Sequence, residues 1–260
     1  MATAATAAVS AWTRPLTIQD GLYDDSVAEC LQKLVETAAN DIARLRSPKL
    51  KLFLDFYVPS VYARVSQRLK PSPAISEDRF IVATRAALEL GADGKPMNAI
   101  EMVRLNSMLS DLPNLVGARG ELYDRMLRDS DPVAAGPWLY RGSPSMELCL
   151  QDQLALVEAS FASAHPIAYA CSLMMIIYSR HPFKQHNEQM AQLCFVYGLA
   201  RHGISVPVIF SDGHEETAHH HEYAKRRALS YYCIVGSPSY LHTMGVMALH
   251  QLMNNIWEFL

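Results

Sequence analysis

Apolar side chains recur every three to four residues along most of this chain, the spacing that gives a helix one buried face. From Asp24 to Leu45 they fall at Val27, Leu31, Leu34, Val35, Ala38, Ile42 and Leu45, and Ser47-Pro48 breaks the pattern. A second helix is expected from about Pro48 to Leu69, closed by "KPSP". A third starts at Ser76, a suitable N-cap, and runs through "EDRFIVATRAALEL" to Gly91. "GADGKP" reads as a turn. Asn98 followed by Glu101 has the spacing of a capping box, so a fourth helix is predicted from Asn98 to Leu109, ending before Pro113.

The stretch from Pro113 to Ser145 has a different texture. Glycines and prolines interrupt two short segments with strand potential, "ELYDR" and "PWLYR", and a loose hairpin or flap is expected there. Helices then return from Ser143 or Ser145 to Ala162, from Pro166 to Arg180, and from Asn187 to Arg201 with a stop at Gly203. Two more are expected at about Glu215 to Cys233 and Tyr240 to Phe259. No internal repeat or low-complexity tract interrupts this mainly α pattern.

Composition narrows the function classes. Half of the 260 residues are hydrophobic, enough to bury a sizeable core. With 23 basic against 26 acidic residues the net charge is −3, which provides no positive field for nucleic acid or an anionic membrane. A small molecule or a protein is the expected partner, and a homodimer is compatible with the pattern. Cys30, Cys149, Cys171, Cys194 and Cys233 show no CxxC spacing and read as reduced, structural side chains. The first residues lack a charged segment followed by a long apolar one, and the apolar run Ile167 to Tyr178 is short of the roughly 20 residues that span a bilayer. These features predict a cytoplasmic protein.

Candidate chemistry concentrates in "SRHPFKQHNEQ". The helix before it is apolar almost all round and the one after it nearly so, which marks both as buried. The polar connector then lies at the mouth of the core, with the first free N–H groups of the second helix facing outward as a ready anion site. His181 stands where it can act as a base beside an anionic group.

These residues resemble the signature of the Fic/Doc family, H-x-F-x-D/E-G/A-N-G/K-R-x-x-R, which lies between two core helices. The likeness extends to "AHPIAYACSLMMIIYSRHPF", "GELYDR", "WLYRGSPSMELCLQDQL" and "HHHEYAKRRALSYY", covering about Asn98 to Cys233. It implies a Fic-like helical domain over residues 96–260; the helical pattern before it predicts a region at 1–95 packed on that core as one compact unit. It also implies group transfer, most familiarly of AMP from ATP to a protein hydroxyl; other relatives transfer phosphoryl or phosphocholine groups. By this resemblance His181 takes the place of the general base, Phe183 that of the core anchor, and Asn187 that of the side chain that orders the loop.

The remaining signature positions depart from the family. The metal-binding acid falls on Gln185, a poor ligand for Mg²⁺. The small residues fall on His186 and Glu188, the one bulky where a backbone should approach a phosphate, the other negative at the edge of the same nest. The two phosphate-binding arginines fall on Gln189 and Gln192, and losing two charged hydrogen bonds removes about 3–6 kcal/mol, on the order of a hundred- to ten-thousand-fold in affinity. Lys184 offers one positive charge at a variable position, and Tyr123, Trp138 and Tyr140 on the flap are candidates to clamp a substrate. No clean copy of the family's inhibitory pattern, S/T-x-x-x-E-G/N, occurs in the N-terminal helices.

The sequence therefore predicts a divergent group transferase that uses His181 on a small metabolite or a protein side chain, with an unknown cofactor and Mg²⁺-ATP chemistry disfavoured. Two other readings stay open. One is a non-catalytic binding protein on the same fold; the other is a metalloenzyme using "HEETAHHH", His214 to His221, with His181, His186 and Glu188.

Overall fold

The computed structural model describes residues 75, 77–110, 126–128, 133–135, 138–140, 143, 145–161, 166–203, 225 and 228. The elements there are α1 (Glu77–Ala92), α2 (Ala99–Leu109), β1 (Val133–Ala135), β2 (Trp138–Tyr140), α3 (Met146–Phe161), α4 (Pro166–Arg180) and α5 (Asn187–Arg201). The chain is mainly α. The expected helices at 24–45, 48–69 and 240–259 lie outside the described residues, as does the proposed cap Ser76. Of the one expected at 215–233, only Lys225 and Ala228 are described, and both are helical and buried.

Local signals account for the helix starts. Asn98 is extended and its Oδ1 accepts the Glu101 N–H at 2.9 Å, satisfying one of the unpaired first-turn donors of α2. The second half of the expected capping box does not form, because the Glu101 carboxylate takes Arg104 at 2.8 Å. Ser145 accepts from the Leu148 N–H at 3.3 Å and so caps α3. Pro166 opens α4, where its missing N–H has no helical partner to lose.

The core is the pair α4 and α5, with α1 laid along α5 and α3 along α4. Ala168 to Tyr178 are all buried, as are Met190 to Ala200, so neither helix keeps a solvent face along these stretches. Two glycines let the helices approach. A Cβ on Gly198 would lie 2.7 Å from the Ala170 Cα, and one on Gly91 would lie 2.7 Å from the Ala200 Cβ. Cys171 and Cys194 are fully buried in this core, and burial pushes both thiols far above the ordinary range, which makes them inert packing groups.

At the far end of the core from the connector, Arg201 of α5 holds Glu158 of α3 through both guanidinium ends, one of them at 2.5 Å, and also reaches the Tyr169 hydroxyl of α4. The Arg201 guanidinium lies 5.0 Å from the Tyr169 ring centroid. The Tyr197 hydroxyl donates to the Lys95 carbonyl in the turn after α1. Polar side chains thus join three helices and that turn where the apolar contacts run out.

The hairpin differs in part from expectation. β2 falls inside "PWLYR", but its antiparallel partner is β1, with Val133 opposite Tyr140 and Ala135 opposite Trp138. The sequence reading paired it with "ELYDR" instead. Small alanines carry no apolar alternation, so β1 gave no local strand signal. Residues 121–125 lie outside the described residues. No described helix is long and apolar enough to cross a membrane.

Candidate functional site

The connector between α4 and α5 is held in place by three clamps, one local and two long-range. The first is Asn187, at the first turn of α5: its Oδ1 accepts the Phe183 N–H at 3.0 Å and its Nδ2 donates to the Phe183 carbonyl at 2.8 Å. This pair closes the loop on itself. Phe183 is 1% exposed, so its ring anchors the loop in the core.

The second clamp comes from the described strap 126–128. Leu127 and Phe183 form an antiparallel bridge, in which the Arg128 N–H donates to the Pro182 carbonyl at 2.8 Å and the Lys184 N–H to the Met126 carbonyl at 3.0 Å. The Arg128 side chain continues the contact, with Nε donating to the His181 carbonyl at 3.0 Å and a terminal nitrogen to the Arg180 carbonyl at 3.2 Å. A cation at the last carbonyls of α4 is favoured by the helix dipole. Burial lowers the pKa of Arg128, which still leaves it charged at any ordinary pH. The third clamp is Asn106 of α2, whose Nδ2 donates to the Gln185 carbonyl at 3.2 Å.

Between these clamps the two histidines adopt left-handed backbone, His181 at φ 45° and His186 at φ 61°. That conformation costs a non-glycine residue roughly 1–2 kcal/mol. At His186 the side chain occupies a position whose backbone favours glycine. His181 is half-buried; its N–H donates to the Ile177 carbonyl at 2.8 Å, so both its backbone groups are held. Lys184 and Gln185 are exposed, while His186, Asn187, Glu188 and Gln189 are partly buried around the first turn of α5.

Glu188 is not an open negative charge. Lys225 meets its carboxylate at 2.9 Å, with 8% and 18% of the respective side chains exposed, and the same ammonium stands 5.4 Å from the Tyr178 ring centroid. One turn along the same face of α5, Gln192 is 1% exposed, and neither end of its amide finds a partner among the described residues. An unpaired buried polar atom costs about 1–3 kcal/mol, so this amide is a marked position.

The residues present do not suit a divalent cation. Gln185 offers a neutral side-chain amide, its backbone carbonyl is engaged by Asn106, and the nearby carboxylate of Glu188 is matched by Lys225. Among the described residues no group of three His, Cys, Asp or Glu side chains is gathered to hold a metal. His214 to His221 lie outside the described residues, as does Tyr123; Tyr140 is placed by its backbone in β2. The structure therefore brings His181 and Lys184 to Gln189 together at one mouth, with Gln192 buried a turn below it.

Sequence reasoning missed Arg128, Asn106 and Lys225. Asn106 did leave a trace, a polar residue on the apolar face of α2 formed by Met102, Val103, Leu105 and Leu109.

A buried antiparallel helix pair with a clamped polar connector between its helices and a strap bridged to that connector defines the class: a Fic-like fold. The crystal structure of a Fic domain containing signaling protein from Bacteroides thetaiotaomicron matches with a TM-score of 0.63 and 12% sequence identity, over 88% of this chain and 95% of that one. The crystal structure of a Fic family protein from Desulfovibrio desulfuricans matches with a TM-score of 0.54 and 15% identity, over 88% of this chain and 74% of that one. At these identities the likeness is one of fold. No family model matches the sequence, and no curated protein does.

Proposed function

We propose that this chain is a Fic-fold group transferase in which the His181 imidazole acts as general base. The supporting observation is the holding of His181. Its left-handed backbone is bonded on both sides, by Ile177 and by Arg128, beside a first helical turn kept in order by the Asn187 clasp. A base held this way gains from orientation, which is where much of the rate of a transfer reaction originates.

In this reading His181 takes the proton from an acceptor hydroxyl. The hydroxyl oxygen bonds to the electrophilic centre of the donor as the bond to the leaving group breaks. The positive end of the α5 dipole stabilises charge that develops on the donor. Gln185, Gln189 and Gln192 disfavour a Mg²⁺-bound triphosphate, so the donor carries less charge than ATP. Its acceptor is a small metabolite or a protein side chain.

A thermal-shift panel of nucleotides, nucleotide-sugars and choline phosphates identifies donors, since a ligand at a hundred times its dissociation constant stabilises by about 2.7 kcal/mol. Transfer of an isotope label from the responding donor then tests catalysis. His181→Ala is expected to abolish transfer while keeping the wild-type melting temperature within about 2 °C. A fully active variant removes the role given to His181.

A second reading, a non-catalytic binding protein, is favoured by the Glu188–Lys225 pair, because a carboxylate of the chain itself sits at the helix start where a donor's charge would bind. It predicts ligand binding that survives His181→Ala, with no turnover.

A further inference from the structure

Asn106 meets the connector at one peptide group, the one that joins Gln185 to His186. Asn106 is fully buried on α2, which packs against α1, α3 and α5, and its Nδ2 donates to the Gln185 carbonyl at 3.2 Å. A trans peptide is planar, and its C=O and N–H point in opposite directions. With the carbonyl drawn toward α2, the His186 N–H is turned away from it.

The same peptide sets the backbone of His186. Rotating a peptide plane by half a turn about the line between its two Cα atoms leaves those atoms in place. It changes ψ of the first residue and φ of the second by about 180°. From φ 61° at His186 the rotation leads to about −120°, which L-residues adopt without the left-handed strain. The rotated peptide would point the His186 N–H at Asn106 and the Gln185 carbonyl away from it. The connector thus holds the costlier of two peptide orientations, and the Asn106 donor is bonded to the one it holds.

We infer that Asn106 is a positioning residue, which by donating to the Gln185 carbonyl selects the peptide orientation that keeps His186 left-handed. This rests on the reading of the connector as the donor-binding part of a transferase. There an N–H stabilises charge that develops on the donor, and a carbonyl turned into its place would repel it. Asn106 touches no reacting atom; it acts through the His186 peptide.

Glycine and alanine at position 186 report the backbone without the imidazole. In the otherwise wild-type protein His186→Gly should be more stable than His186→Ala by about fivefold in the unfolding equilibrium, because only alanine bears the left-handed strain. With Asn106→Leu added, the order should reverse. The peptide can then turn, alanine takes the negative φ, and glycine keeps only its larger loss of freedom on folding. The same order in both backgrounds overturns the inference.

The sign of φ at His186 is a second, direct reading, from its one-bond Cα–Hα coupling in labelled full-length protein or from a crystal structure. It is expected to turn negative in Asn106→Leu, and also in Asn106→Asp at pH 8, a variant closer in shape whose carboxylate accepts the turned N–H. A φ that stays positive in both refutes the role of Asn106. Where the wild type transfers a group, Asn106→Leu should lower kcat, and adding His186→Gly should restore part of it, since glycine takes the left-handed state at no cost. A wild type without turnover removes the transferase reading and leaves the two backbone measurements to decide the role of Asn106.

Discussion

Arg128 donates through Nε to the carbonyl of His181 at 3.0 Å, across more than fifty residues of chain, and through a second nitrogen to the carbonyl of Arg180. The carbonyls that end α4 are among those a helix leaves unpaired, and a buried guanidinium satisfies two of them. Arg128 thereby does for α4 what a capping residue does, and fixes the backbone that carries the proposed base.

Arg128→Met keeps much of the packed stem and removes both donors. Stranding the two carbonyls should cost about 2–4 kcal/mol, read as a lower denaturation midpoint with an unchanged m-value. Amide hydrogen exchange should accelerate at Lys184 and His181, beside the lost contact. Unchanged exchange there would mean that the backbone bridge of Leu127 with Phe183 holds the loop without the side chain.

Restoring charge at the departed positions tests why they departed. Gln189→Arg with Gln192→Arg buries a guanidinium a turn below Glu188, and the double variant should lose about 1–3 kcal/mol in plain buffer. Pyrophosphate should then recover much of that loss, and the wild type should respond far less. A double variant no more responsive to pyrophosphate than the wild type would show that the connector's shape, with His186 and Glu188, blocks a polyanion by itself.

Gly198→Ala drives a methyl group into Ala170, whose Cα would stand 2.7 Å from the new carbon. Ordinary helix propensity favours alanine by up to about 1 kcal/mol, yet the clash between α4 and α5 should prevail and lower stability by about 1–3 kcal/mol. The double change with Ala170→Gly removes the Cβ that would stand 2.9 Å away but keeps the Cα, so it should recover only a part of the loss. Thermal melts of the wild type and the two variants check this ordering.

Glu158 supplies a pH dependence. The hydrogen bond from Arg201 holds its carboxyl below the usual value, against the opposing effect of burial, and the charge of Arg201 adds to it. A lowered folded-state pKa contributes stability that is full above the ordinary carboxylate range and fades as pH falls through the lowered value. Glu158→Gln should therefore melt lower at pH 7, by about 1–2 kcal/mol, and the gap to wild type should narrow below about pH 4. A gap independent of pH would assign the stabilisation to packing. The Tyr197 hydroxyl near this group is pushed up to about 12, chiefly by burial, and stays neutral throughout.

The sequence by itself determined the elements whose causes are local. Pro166, Asn98 and Ser145 mark helix starts through the chemistry of unpaired first-turn groups, and the mostly apolar runs of α4 and α5 mark both helices as buried. His181, Phe183 and Asn187 were legible because their spacing follows the loop they close. Tertiary structure decided the rest. Arg128, Asn106 and Lys225 act on residues 53, 79 and 37 positions away, and no periodicity encodes such a pairing. β1 drew its partner from the register of a hairpin, since Val133 to Ala135 carry no alternation to announce a strand. Gln192 looked in the sequence like a lost phosphate ligand at an open mouth; only packing showed that its amide is buried, with no partner among the described residues.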